Sequence, residues 1–268
     1  IARAFQGRMA MMVPAAALVG ALSPFCSCGV IPLIAALLAM GVPLAPVMAF
    51  WLASPLMDPS MFVLTTGTLG TEFAIAKTTA AVGVGLLGGL VTWALTARGA
   101  FAHAIRPGIG DGGCGGSTVR SPKEVSWRFW REDGRSRVLA TDARKNLLFL
   151  GKWLTLAFFL ESLMVAYLPG DAVARVVGGE GVWPVLVATV VGVPAYLNGY
   201  AALPLVGQLV EQGMTPGAGM AFLVAGGVTS IPAAIAVWAL VRWPVFLAYV
   251  AFALSGAASA GLLFGLLA

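Results

Sequence analysis

The chain reads as long apolar runs separated by short interruptions rich in Pro, Gly and polar residues. A helix needs about 20 apolar residues to cross the hydrocarbon core of a bilayer. Runs of that order predict spans over 8–23, 44–68, 73–96, 147–168, 182–197, 216–241 and 243–267. Two shorter runs, 29–40 and 201–212, suit half-helices or re-entrant segments. Backbone freed at such breaks must be buried in protein or line a cavity, because lipid cannot hydrogen-bond it. The expected fold class is an all-α polytopic membrane protein with broken or short intramembrane helices.

Composition supports this reading. Of 268 residues 59% are hydrophobic and 10% charged, against about 25% charged in soluble domains. The one soluble-looking stretch, 98–145, holds ten basic residues (among them Arg98, Arg106, Arg120 and Arg144) against five acidic ones, which accounts for the whole net charge of +5. A basic interhelical loop is expected on the cytoplasmic side of an inner membrane. That topogenic reading outweighs lipid-headgroup binding, and no nucleic-acid partner is expected. Cys26, Cys28 and Cys114 are too few for a disulfide framework, there is no C-x-x-C, and His103 is the single histidine. No phosphate-binding Walker loop is present, so ATP hydrolysis by this chain is excluded. No cofactor and no enzymatic activity are expected.

An internal repeat organises the apolar runs. Residues 31–55 and 203–227, offset by 172, are identical at Pro32/Pro204, Leu33/Leu205, Leu37/Leu209, Gly41/Gly213, Met48/Met220, Ala49/Ala221, Phe50/Phe222 and Ala53/Ala225. Unrelated segments this apolar share about two or three such matches. The expected organisation is a first transmembrane repeat over 1–97, the basic loop 98–145 and a second repeat over 146–268. Helix 147–168 leads the second repeat, which predicts a corresponding helix ahead of residue 1. If the short helices span, the repeats are inverted; if they are re-entrant, the repeats run parallel and Arg3, Arg8 and Arg242 face outward. The charge rule favours inversion.

Structural breaks are expected at Pro24, Pro32, Pro55, Pro59, Pro194, Pro204 and Pro232. Interrupted segments at corresponding positions of two halves mark a transporter's substrate site. In the first half the break is Pro24–Gly29, in the string Pro24-Phe25-Cys26-Ser27-Cys28-Gly29-Val30-Ile31-Pro32, with Pro32 expected in the first turn of the short helix. Free N–H groups at that helix start suit an anion or a partial negative charge. Cys26 and Cys28 offer soft sulfur, which suits soft cations and metalloids; as small buried hydrophobes they need no ligand. No resident metal is expected. The corresponding break, Pro194–Tyr200, brings Tyr196, Asn198, Gly199 and Tyr200. Substrate contacts are therefore expected from Cys26, Ser27, Cys28, Gly29, Ser54, Tyr196, Asn198, Gly199 and Tyr200.

Ionisable groups at membrane depth are costly and mark pathways, proton sites or ion pairs. Asp58, in Ser54-Pro55-Leu56-Met57-Asp58-Pro59, and Glu161, inside 147–168, are the candidates for coupling to protons. The competing reading of Asp58 is a cap beside a proline break, and that of Glu161 an internal pairing. Glu72 and Lys77, near a predicted helix boundary, are expected at the membrane interface, and Glu211 likewise. Trp51, Trp93, Trp183 and Trp243 are expected as belt and packing residues.

The string Pro24-Phe25-Cys26-Ser27-Cys28-Gly29-x-Ile31-Pro32, with Gly41, Phe50, Ser54-Pro55, Asn198-Gly199 and the Pro204 to Gly213 spacing, resembles the ArsP/YraQ-type predicted permeases. The resemblance covers most of the apolar chain. It implies a multi-pass permease for a small molecule and, in the characterised branch, export of trivalent organoarsenicals, for which Cys26 and Cys28 are chemically sensible ligands. The bilayer and a small-molecule substrate are the expected partners, and a homo-oligomer is compatible. Two alternatives stand beside this reading: transport of a sulfur-containing anion, and a membrane thiol oxidoreductase using Cys26 and Cys28. The second lacks a C-x-x-C and an evident quinone site.

Overall fold

The computed structural model describes residues 9–23, 27–39, 41–99, 101, 144, 147, 148, 151, 155, 159, 181–195, 199–229, 234, 237, 238 and 240–267. These residues form helices and turns. We number the helices α1 (Met9–Leu22), α2 (Ser27–Ala39), α3 (Leu44–Ala53), α4 (Pro59–Leu69), α5 (Thr71–Ala97), α6 (Val182–Ala195), α7 (Gly199–Glu211), α8 (Pro216–Thr229) and α9 (Trp243–Leu267).

Two of them, α5 and α9, are long and apolar enough to cross a bilayer. Both expose large apolar side chains such as Ile75, Leu90, Leu247 and Leu263. A helix that is apolar all round yet exposed fits lipid as its solvent. The centre is built differently. Every residue of α3 is buried, and so is every residue of α8 from Gly217 to Thr229.

Each central helix is gripped by two neighbours: α1 and α5 pack on α3, and α6 and α9 pack on α8. Small residues make these approaches close. A Cβ on Gly20 would lie 2.8 Å from the Phe50 carbonyl oxygen, and one on Gly192 would lie 2.7 Å from that of Phe222. A Cβ on Gly89 would meet Val13, Ala49 and Ala45; one on Gly261 would meet Val185, Ala221 and Gly217. Adding 172 to each member of the first sets gives the second. The helix ends obey the same offset. Both α2 and α7 end in a glycine with positive φ, Gly41 (79°) and Gly213 (104°). The following amide reaches back to Leu37 O in one case (3.1 Å) and Leu209 O in the other (2.9 Å). That is the left-handed helix stop in which glycine avoids a Cβ clash.

The contacts also fix directions. Gly20 lies at the C-terminal part of α3, beside Phe50 and Ala53, and Val13 lies near Ala45 through Gly89. Helices α1 and α3 therefore run the same way, and α2 must carry the chain back between them. The described part of the expected 8–23 span is α1. As described from Met9, α1 is 14 residues long, about 21 Å, and ends beside the end of α3, where Ser23 and Ser54 hydrogen-bond at 3.1 Å.

The 44–68 run is divided as its prolines suggest. The turn at Ser54–Leu56 separates α3 from α4, and Pro59 opens α4 at a position that needs no N–H donor. Other prolines depart from expectation. Pro32 is the sixth residue of α2 and Pro204 the sixth of α7, while Pro194 lies inside α6 near its end. The breaks are thus shorter than Pro24–Gly29 and Pro194–Tyr200. Ser27, Cys28 and Gly29 belong to the first turn of α2, and Gly199 and Tyr200 to that of α7. Each inner proline withdraws one intrahelical donor from the carbonyl four residues earlier, Cys28 or Tyr200. Packed helices in membranes accommodate this because neighbours re-satisfy the freed backbone. Pro24 and Pro232 fall outside the described residues.

Across the middle, α5 and α9 run antiparallel: Phe73 stacks edge-on against Phe264 with centroids 5.2 Å apart, and Gly256 faces Val84. Trp51 of α3 packs on Tyr249 of α9, centroids 5.0 Å apart. Trp51 is therefore core, whereas Trp93, Trp183 and Trp243 are exposed.

Candidate functional site

The densest polar cluster among the described residues forms where α4 meets α7. Asp58 is the N-cap of α4: extended backbone (φ −144°, ψ 168°) lets its Oδ1 accept from the Met61 amide at 2.8 Å. Ser60 donates its hydroxyl to the same Oδ1. Tyr200, from the first turn of α7, reaches across, with its hydroxyl 2.8 Å from Ser60 Oγ and donating to Asp58 Oδ2 at 3.3 Å. Residues 140 apart in sequence thus join the α3–α4 break to the start of a short helix from the other end of the chain. Asp58 is half-buried and Tyr200 is 46% exposed, so the cluster opens at its outer side.

Behind it sits a residue that one-dimensional reading misplaced. Lys77 was expected at the interface with Glu72. Glu72 is exposed, but Lys77 is only 2% exposed. The reason lies in packing: α4 folds back along α5 after the Gly70 turn, and α1, α3, α8 and α9 cover other parts of α5. Asp58 is the described charge that acts on Lys77 electrostatically. The ammonium has no hydrogen bond or ion pair among the described residues. The sequence held one usable signal. At the 172-residue offset Lys77 corresponds to Tyr249, deep in an apolar run. Tyr249 is buried as well, and its hydroxyl donates to the Val228 carbonyl of α8.

Other candidates are placed as follows. Ser54 is buried and bonded to Ser23, which also donates to the Gly20 carbonyl at 2.7 Å. Ser27 follows Ser23 by four residues, so chain reach keeps their Cα atoms within about 14 Å. Gly199 is half-buried and Glu211 exposed. Cys26, Tyr196, Asn198 and Glu161 lie outside the described residues, as do Cys114 and His103, and the side chains of Ser27 and Cys28 are likewise outside the description. No group of three or more His, Cys, Asp or Glu suited to a metal ion occurs among the described residues.

An architecture of exposed apolar helices around fully buried central ones, with a polar seam between breaks, defines a helical membrane protein. Its family is shown directly. Residues 1–201 and 197–268 match the ArsP family model, described as a predicted permease, and the chain belongs to that family of membrane transporters. No curated protein and no solved structure matches the chain.

Proposed function

We propose that the chain is a secondary permease that exports a soft metalloid or organoarsenical, such as trivalent methylarsenite, through a site between two inverted repeats. Transport rather than catalysis is its activity, and it works as a multi-pass inner-membrane protein with the 98–145 loop in the cytoplasm.

The observation that carries this reading is the meeting of Tyr200 with Asp58 and Ser60. A helix break of one half meets the short helix of the other, and transporter sites lie at such interfaces between repeats. Duplication is supported by the close approaches that recur at one offset. Inversion is supported by the antiparallel run of α5 and α9, whose counterparts lie 172 residues apart. Here the α1–α2 pair behaves as a re-entrant hairpin, and an odd number of crossings, 44–69, 71–97 and 147–168, still inverts the second half. On this proposal the short helices are re-entrant and the repeats still inverted, in agreement with the charge rule.

The Cys26-Ser27-Cys28-Gly29 segment supplies sulfur at the start of α2, and Tyr196, Asn198, Gly199 and Tyr200 supply polar groups at the start of α7. Ser54 borders the α3–α4 break between them. Thiolates favour As(III) over hard cations. Asp58 and Glu161 are the candidates for proton coupling, Asp58 because it lies on the seam that must open. Its capping role is compatible with this: protonation weakens the cap and the Tyr200 contact together.

The test is uptake of methylarsenite into proteoliposomes or everted vesicles, with and without a pH gradient. Saturable accumulation that is lost in the Cys26→Ser/Cys28→Ser double variant is the expected result. No accumulation by folded protein discards the arsenical and leaves the permease architecture.

A further inference from the structure

Lys77 is a lysine only 2% exposed that takes no part in the thiol site. Burying a charge without a partner is among the costliest things a fold can do, and such groups are held by paired charges or by ligands. The two halves resolve this position differently. Tyr249 spends its single donor on the Val228 carbonyl, at the end of the central helix α8. Lys77 brings three donors to the corresponding place in the first half and engages none of them among the described residues. Asp58 balances the charge through space, yet its own oxygens are occupied: Oδ1 by the Met61 amide and Ser60, Oδ2 by Tyr200. Tyr249 from α9 is the other described titratable group buried in this bundle, and its hydroxyl is spent.

We propose that Lys77 is an anion-accepting residue of the transport path, taking a negatively charged oxygen or sulfur of the permeant molecule behind the Asp58–Ser60–Tyr200 seam. The inference rests on the permease reading and concerns permeant species that present an anionic group, which neutral methylarsenite does not. Asp58 is the competing charge that faces Lys77 when the site is empty. A permeant anion entering past the exposed seam replaces a through-space partner with a bonded one.

The test uses the full chain purified in detergent. Its thermal midpoint is read while sodium thiosulfate replaces sodium chloride at constant ionic strength. Thiosulfate carries both soft sulfur and anionic oxygens. A general salt effect on hydration rises without saturation and is the same in every variant. The expected result is a saturable rise in the unaltered protein that Lys77→Arg keeps. Lys77→Gln raises the half-saturating concentration at least tenfold. Lys77→Met serves if the glutamine variant folds poorly, since it removes a buried charge and keeps the side-chain volume. The inference is overturned if the unaltered protein shows no saturable rise, or if the glutamine and methionine variants show it undiminished. Methylarsenite flux, measured separately in the unaltered protein, keeps the two readings apart. Lys77-dependent binding without flux removes the metalloid and leaves the anion site. Flux without Lys77-dependent binding does the reverse.

Discussion

Positions 77 and 249 occupy corresponding turns of α5 and α9, and both side chains are buried, yet one is a cation and the other a phenol. Tyr249 belongs to a closed structure: its ring packs on Trp51 and its hydroxyl is bonded to Val228. Lys77 belongs to an open one, with donors unspent and its charge answered from Asp58. The two positions are free to differ because the close backbone approaches lie elsewhere, at Gly20, Gly89, Gly192 and Gly261. Architecture is carried by the shared small residues. In the proposed function the chemistry falls to positions where the halves differ, such as Cys28 against Tyr200 and Lys77 against Tyr249.

The largest effect is expected where the halves agree. Gly20→Ala and Gly192→Ala each put a Cβ under 3 Å from a backbone oxygen of a fully buried helix, which cannot yield as a side-chain tip can. Overpacking of that kind costs about 3 kcal/mol. Both variants should lower the thermal midpoint by similar amounts. A large cost at one glycine and none at the other would break the equivalence of the two halves.

Asp58→Ala comes next. It removes the α4 cap, worth about 1 kcal/mol, and withdraws the charge that balances Lys77. We expect a loss larger than the cap alone, with Lys77→Met in the same chain recovering the electrostatic part but not the cap. Asp58→Asn keeps a capping oxygen and should lose only the charge. A double variant whose loss equals the sum of the singles would show that Asp58 and Lys77 do not communicate.

Tyr249→Phe leaves the Val228 carbonyl buried without its side-chain donor, a loss of about 1 kcal/mol. Flux should not change, because the closed half does no chemistry at this turn. Reduced flux at unchanged stability would place Tyr249 on the path and erase the contrast with Lys77.

The division of 44–68 and the capping alternative for Asp58 were legible because each is written in local chemistry: a Ser-Pro-x-x-Asp-Pro string, a carboxylate before a proline at the helix start. The partners of those residues were not legible. Nothing near Asp58 in sequence names Tyr200, and the burial of Lys77 follows from α4 folding back on α5 while other helices close around it. Pro32 and Pro204 misled for the opposite reason. Taken alone, a proline marks a helix start, but here two prolines at corresponding places lie a turn and a half inside their helices. Local propensity lost to packing.

The smallest stability effect and the sharpest functional one should come from Tyr200→Phe. The hydroxyl is all that changes, and with it go the hydrogen bonds to Asp58 and Ser60. Since Tyr200 is 46% exposed, the groups left behind regain other partners, and the cost should stay within about 0.5 kcal/mol. The residue stands at the seam between one half's break and the other's short helix, so the same deletion removes a tie that transport has to break and remake. Flux should therefore change severalfold while the thermal midpoint does not. If the two move together, the Tyr200 contact is a structural clasp and the halves separate somewhere else. If neither moves, Ser60 and the Met61 amide hold Asp58 unaided, and the two halves meet here without acting on each other.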